Sequence, residues 1–212
     1  METRMLIFCG GNIGQWAIDE IREHDVLVGA DRGALFLLQN GRIPYLACGD
    51  FDSVNEQERE LIRQGSVNFL ACDPVNKDDT DTELALKWAI SQNPTVILLL
   101  GAVGSRMDHT LANIHLLYQA LKSNTACKIV DEHNEIMLID RTAEIHKSRF
   151  EHISLLPLSM VVRGVTLKGF QYPLEGYTLQ LGHSLAISNK LIEEIGSISI
   201  EEGYLLVIQS NG

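Results

Sequence analysis

The 212-residue chain has little of several things that would place it quickly. Its four cysteines, Cys9, Cys48, Cys72 and Cys127, are widely scattered and form no CxxC pair, which argues against a zinc site and against a redox dithiol. No apolar run approaches the roughly 18 residues of a membrane span, and the N-terminus lacks the long apolar core and small-residue cleavage site of a secretory signal. Basic residues are outnumbered, 17 Lys and Arg against 28 Asp and Glu, for a formal charge of −11. That balance repels nucleic acid phosphates and anionic lipid, so neither nucleic acid nor membrane is expected as a partner. It favours a cationic small molecule, or metal ions that shield an anionic one. Internal repeats and low-complexity segments are missing too. The hydrophobic fraction of 45% is enough for a proper core. Three of the cysteines end or interrupt apolar runs, as buried free thiols do. The expectation is a cytoplasmic globular protein.

The first 130 residues alternate short apolar runs with amphipathic stretches. Strands are predicted at Met5–Cys9, Val26–Ala30, Tyr45–Cys48, Val67–Ala71, Thr95–Leu100 and Ala126–Val130. Helical patterns fill the gaps at Gln15–Glu23, Gly33–Gln39, Asn55–Gln64, Thr82–Ser91 and Leu111–Ser123. Strands separated by helices of this length mean βαβ units and a mainly parallel sheet flanked by helices. After about Asn134 the pattern changes to short alternating runs: Ile136–Ile139, His152–Leu156, Val161–Leu167, Thr178–Leu181, Leu185–Ser188, Ile195–Ile200 and Tyr204–Gln209. Glycines punctuate them, and a helical period is seen only briefly, near Lys190–Glu194. The fold class expected is therefore α/β over residues 1–133, followed by a small antiparallel β-sandwich over 134–212.

In open α/β sheets, ligands bind beyond the carboxyl ends of the strands. The first strand exits into Gly10-Gly11-Asn12, the second into Asp31-Arg32-Gly33, and the third into Gly49-Asp50-Phe51-Asp52-Ser53. The fourth exits into Asp73 and then Lys77-Asp78-Asp79-Thr80-Asp81, and the fifth into Gly101-Ala102-Val103-Gly104-Ser105-Arg106-Met107-Asp108-His109. Each exit carries Gly, Asp or both on one edge of the sheet. Asp50 and Asp52, spaced i and i+2, are expected to point the same way by strand alternation. Carboxylates that close repel one another, and a hard divalent cation, here Mg²⁺, relieves the repulsion and points to phosphate chemistry. Lys77 and Arg106 supply cations for phosphate oxygens.

Each loop also has a plain structural reading. Ser53-Val54-Asn55-Glu56 and Thr80-Asp81-Thr82-Glu83 fit capping boxes, and Asp108 fits a helix N-cap. His109 reads as structural. Neither Gly10-Gly11-Asn12 nor Gly101–Gly104 matches a dinucleotide fingerprint or a P-loop. The weight lies in the convergence of five exits.

Taken in order, these motifs resemble the thiamin pyrophosphokinase family, particularly its bacterial form. The resemblance rests on Gly49–Ser53, Lys77–Asp81 and Gly101–His109 continuing into Thr110-Leu111-Ala112-Asn113. It continues in Ser154-Leu155-Leu156-Pro157-Leu158-Ser159, in Gly169-Phe170-Gln171-Tyr172-Pro173-Leu174 and in Ser188-Asn189. It implies pyrophosphoryl transfer from ATP to the hydroxyethyl oxygen of thiamin, giving thiamin diphosphate and AMP. It also implies a homodimer whose active sites are shared between subunits. Carried over by motif, Asp50, Asp52 and Asp81 hold Mg²⁺, with Asp31 and Asp108 in the same pocket. Asp31 is expected to serve ATP and its phosphates, as are Lys77 and Arg106 from their own places in the acidic loops, and the resemblance implies that Ser188, Asn189 and Asp108 serve thiamin. Asp108 is a candidate for orienting or deprotonating the thiamin hydroxyl.

Two positions depart from the family pattern. Ser105 stands where glycine is usual, which predicts a reshaped turn, and Lys190 stands where an acid is usual. Two other functions stay open at this level. Asp50-Phe51-Asp52 superficially resembles the DxD nucleophile of haloacid-dehalogenase-type phosphatases, although it follows the third strand. A non-catalytic thiamin- or nucleotide-binding protein is the other.

Overall fold

The computed structural model describes residues 3–72 and 79–211. The chain divides into two compact units, residues 1–132 and 133–212. In the first, strands and helices alternate: β1 Arg4–Phe8, α1 Gln15–Asp19, β2 Val26–Ala30, α2 Arg32–Gln39, β3 Leu46–Gly49, α3 Glu56–Gly65, β4 Asn68–Ala71, α4 Asp81–Ser91, β5 Val96–Leu100, α5 Met107–Lys122 and β6 Ala126–Val130. The strand order is β4-β3-β2-β1-β5-β6, and every pair is parallel. Leu6, Ile7 and Phe8 of β1 and Leu99 and Leu100 of β5 are completely buried. This follows from helices covering both faces, so a central strand reads as a continuous apolar run. The edge strand β4 is largely exposed. After β1 the chain builds outward through β2, β3 and β4, then returns to the far side of β1 with β5. The order therefore reverses between β1 and β5, which opens a crevice beyond their carboxyl ends.

The second unit contains β7 Asn134–Ile139, β8 Thr142–His146, β9 His152–Pro157, β10 Val161–Lys168, β11 Leu174–Gln180, β12 Ile195–Ser199 and β13 Leu205–Ser210. Strands β7-β13-β9 and β11-β10-β12-β8 form two antiparallel sheets. Their inner faces share one core, with Ile153, Leu155 and Val207 from one sheet against Val162, Val165 and Ile198 from the other. This is the β-sandwich arrangement.

Local differences from the sequence-based expectations have local causes. Helix α1 stops at Asp19 instead of continuing to Glu23, because the Arg22 N–H donates to the Asp25 carboxylate at 2.8 Å and His24 turns into positive φ. Strand β8 was not predicted; only Ala143 and Ile145 carry its apolar face. Leu185–Ser188 is not a strand: Ser188 lies at φ +58° while Ala186 anchors the segment in the core. Lys190–Glu194 is not helical either. Its backbone is spent on loop bonds, Gln171 N–H to the Lys190 carbonyl and Ile192 N–H to the Gly169 carbonyl.

Candidate active site

A cavity of about 750 Å³ opens at the crevice, lined by residues from the exits of β1, β2, β3, β5 and the start of α4. Its floor is backbone. The Gly11 N–H donates to the Gly101 carbonyl at 3.0 Å, and a side chain at Gly11 would place its Cβ 2.3 Å from that oxygen. Only glycine permits this approach of two strand exits. From α5, Asn113 donates its amide N–H to the Ala102 carbonyl at 2.7 Å. The Thr110 hydroxyl accepts from the Gly104 N–H at 3.2 Å. Both side chains are buried, and together they brace the loop after β5. Ser105 causes no strain there, because neither it nor Gly104 has positive φ.

The acidic wall faces this floor. One carboxylate oxygen each from Asp31, Asp50 and Asp52 lie within 4.8 Å of one another. The cause differs from the one expected. Asp50 and Asp52 do not share a strand face. Phe51 between them adopts φ +58°, and the Asp52 N–H donates to Asp50 Oδ1 at 3.1 Å, closing a tight turn. Left-handed φ is unfavourable for a bulky residue. It is held here because Phe51 is only 3% exposed and its ring stacks on Phe69, with centroids 4.8 Å apart. Burying the middle residue turns both flanking carboxylates outward.

Asp31 is similarly constrained, at φ +49° and ψ −120°, with its N–H bonded to the Cys48 carbonyl at 2.9 Å. Its Oδ2 accepts from the Ser53 hydroxyl. Its Oδ1 is shielded from solvent and has no hydrogen-bond partner among the described residues. Burial pushes the Asp31 carboxyl above its ordinary value, and the nearby charges of Asp81 and Asp52 add to this; the Ser53 hydroxyl and the Arg32 N–H pull the other way. A shielded carboxylate oxygen without a donor, beside two further carboxylates, fits a hard divalent cation that takes oxygen ligands. Asp81, in the first turn of α4, lines the same cavity and accepts the Asp50 N–H at 3.3 Å. Gly49, at φ +140°, leaves room for it: a Cβ there would lie 3.0 Å from Asp81 Cγ.

The remaining expected residues are placed as follows. Lys77, with Asp73 and Asp78, lies outside the described residues. Arg106 lines the cavity and pairs with Asp108 at 2.6 Å, both exposed. That guanidinium holds the Asp108 carboxyl below the usual carboxylate range. Asp108 is not the N-cap of α5, because Arg106 occupies that position; His109 lines the cavity. The capping boxes also differ. The one before α3 is Asn55 with Glu58, not Ser53 with Glu56. Thr80 caps α4 through the Glu83 N–H, while the Glu83 carboxylate is used by Lys87 at 3.1 Å and Gln119 at 2.7 Å. Lys87 also holds Asp79 at 2.6 Å, tying the acidic exit to its helix.

Ser188 and Asn189 belong to the second unit. Ser188 is exposed. Asn189 is buried, and its amide is spent on backbone: it accepts the Tyr172 N–H at 3.0 Å and donates to the Tyr172 carbonyl at 2.8 Å. Lys190, the second departure, is paired with the Glu151 carboxylate.

Read from the sequence, Ser53 has only a capping role, and no role falls to Phe51, Thr110 or Asn113. For the last two a signal existed, since they are polar residues at i and i+3 on the face of α5 that buries Leu116, Leu117 and Ala120.

Fold and site together define a class: an α/β protein with a carboxylate cluster and glycine turns at the switch point of a parallel sheet, joined to a β-sandwich. Comparison with known proteins narrows it. Residues 18–130 match the family described as thiamin pyrophosphokinase, catalytic domain, and residues 141–205 match thiamin pyrophosphokinase, vitamin B1 binding domain. Thiamine pyrophosphokinase of Bacillus subtilis is 40% identical over 190 residues, which span 89% of this chain and 88% of that protein. The crystal structure of the Bacillus subtilis protein superposes with a TM-score of 0.90 at 36% identity, covering 99% of this chain and all of that one. That of thiamin pyrophosphokinase from Geobacillus thermodenitrificans gives 0.88 at 34% identity, covering 99% and 98%. The chain belongs to the thiamin pyrophosphokinase family.

Proposed function

We propose that this protein transfers a pyrophosphoryl group from ATP to the hydroxyethyl oxygen of thiamin, giving thiamin diphosphate and AMP. The observation that carries the reading is the convergence of Asp31, Asp50 and Asp52 within 4.8 Å, in a chain matched to this family in both halves. Asp50, Asp52 and Asp81, with Asp31 beside them, would hold Mg²⁺, which would supply charge neutralisation on the transferring phosphates. The protein contributes positioning and fixed charge. The braced turns at Gly11 and Gly101 form a wall that allows close approach of a phosphate chain, and Arg106 and Lys77 offer cations to its oxygens.

Asp108, held ionised by Arg106, orients the thiamin hydroxyl as a hydrogen-bond acceptor. A carboxyl with a depressed pKa is a weak base, so orientation suits it better than proton abstraction. Ser188 and Asn189 shape the thiamin-binding part of the second unit, with Asn189 fixing the Tyr172 backbone. The net charge of −11 favours a cationic substrate over nucleic acid or membrane. No helix among the described residues is long and apolar enough to cross a membrane. We read the protein as a cytoplasmic homodimer with shared active sites, in keeping with its family and its four free cysteines.

The test is incubation with ATP, Mg²⁺ and thiamin, followed by separation of the nucleotides. AMP that appears only when both thiamin and the metal are present supports the proposal. Phosphate release from monoesters without ATP indicates a phosphatase instead, and thiamin binding without product indicates a binding protein.

A further inference from the structure

Asp31 and Asp50–Asp52 come from different strand exits, and each turn holds a non-glycine residue at positive φ. Two such turns facing each other with like charges need something to keep them in register. Backbone bonds fix Asp31 on one side, through its N–H to the Cys48 carbonyl and its carbonyl from the Ala34 N–H at 3.1 Å. Those bonds place the backbone, and the Arg32 N–H of the same turn bonds the carboxylate locally, but neither ties it to the facing turn. Repulsion from Asp52 and Asp81 would rotate it away from the cluster. The Ser53 hydroxyl opposes this. It reaches across from the neighbouring exit, 22 residues away in sequence, and donates to Asp31 Oδ2. The shielded Oδ1 is the oxygen left over.

We propose that Ser53 is a positioning residue for the divalent cation: its hydroxyl clips the Asp31 side chain to the Asp50–Asp52 turn, so that the three carboxylates stay gathered before any metal arrives. The choice of a hydroxyl matters. A lysine or arginine in its place would order the carboxylate by neutralising it and would compete with the cation. A neutral donor orders it and leaves the cluster's charge available. Gathering the ligands in advance lowers the ordering cost of binding. Ser53 is exposed at the cavity wall and takes no part in the apolar core, so its removal leaves the fold in place.

This rests on the metal site of the proposed function, and the test separates the two. Mn²⁺ binding to the metal-free protein is measured by electron paramagnetic resonance, without nucleotide or thiamin, and thermal unfolding is recorded alongside. Ser53→Ala is expected to weaken Mn²⁺ about tenfold, the scale of one hydrogen bond to a charged group. Ser53→Thr, which keeps the hydroxyl, restores binding. Asp31→Asn weakens binding too, and adding Ser53→Ala to it has little further effect, because the serine acts through that carboxylate. The proposal is overturned if Ser53→Ala binds Mn²⁺ within twofold of wild type, if the Thr variant stays as weak as the Ala variant, or if the two losses simply multiply. Wild type that binds no Mn²⁺ overturns it as well. Thiamin-dependent AMP formation by wild type, measured separately, reports on the function: its presence beside an unaffected Ser53→Ala sinks the clip alone, and its absence sinks the reaction whatever Mn²⁺ shows.

Discussion

The left-handed turn at Phe51 makes an unusual demand on substitutions there. The residue is buried and its ring stacks on Phe69, within a cluster that includes Ala34, Leu35, Ala47 and Ile62. Phe51→Ala removes that ring and should cost about 3–5 kcal/mol, the usual range for emptying an aromatic site in a core. Phe51→Gly removes the same ring. In an ordinary backbone conformation glycine would be worse than alanine by roughly 0.5–1 kcal/mol, because it gives up more chain entropy. At φ +58° the order should invert, since alanine still carries the left-handed penalty of about 1–2 kcal/mol and glycine does not. Phe51→Gly is therefore expected to be more stable than Phe51→Ala by about 1 kcal/mol. Urea unfolding followed by tryptophan fluorescence is a suitable assay, because Trp16 and Trp88 both lie in the first unit. Alanine equal to or better than glycine would refute the strained turn, and with it the explanation of why Asp50 and Asp52 face one point.

Other substitutions and conditions test neighbouring parts of the account. Asp52→Asn should lower turnover by about 10²–10³-fold, the scale of losing one electrostatic stabiliser, with the circular dichroism spectrum unchanged; near-normal turnover removes Asp52 from the metal site. Asp31→Asn should raise the Tm of the metal-free protein at neutral pH, because it deletes a charge that burial disfavours, and should abolish much of the Tm rise that Mg²⁺ gives wild type. The pH dependence follows in sign. Asp31 holds its proton longer folded than unfolded, so its contribution to metal-free stability falls as pH rises from the ordinary carboxylate value through the raised one; a contribution that grew with pH would contradict the burial. Cys9 and Cys48, buried and with thiols pushed up to about 12, should resist a thiol reagent at pH 8 until the protein unfolds, and rapid labelling of either in the native state would show the core to be open.

The parallel sheet was legible because its strands are short apolar runs ended by Gly or Asp, and those terminators also mark the edge where ligands bind. The sandwich was legible from alternation, except where alternation was thin. Strand β8 has two apolar residues, and Leu185–Ser188 alternates without pairing as a strand. What remained hidden is what depends on distance or on φ. Asp50-Phe51-Asp52 suggests two carboxylates on one strand face; that a strained phenylalanine turns them outward is invisible in the letters. The Ser53–Asp31 bond crosses between two strand exits, and Lys190 finds Glu151 on another strand's approach, so neither has a local signature. Ser105, read as a strained substitution, sits where no positive φ is required.

The central claim is that these strand exits carry out pyrophosphoryl transfer. Phosphorus-31 NMR of the protein with ATP, Mg²⁺ and thiamin tests it most directly, because it shows which phosphorus atoms move together. The account predicts that the ATP resonances give way to one AMP signal and the paired signals of thiamin diphosphate, in equal amounts and only with thiamin present. ADP together with thiamin monophosphate would contradict it.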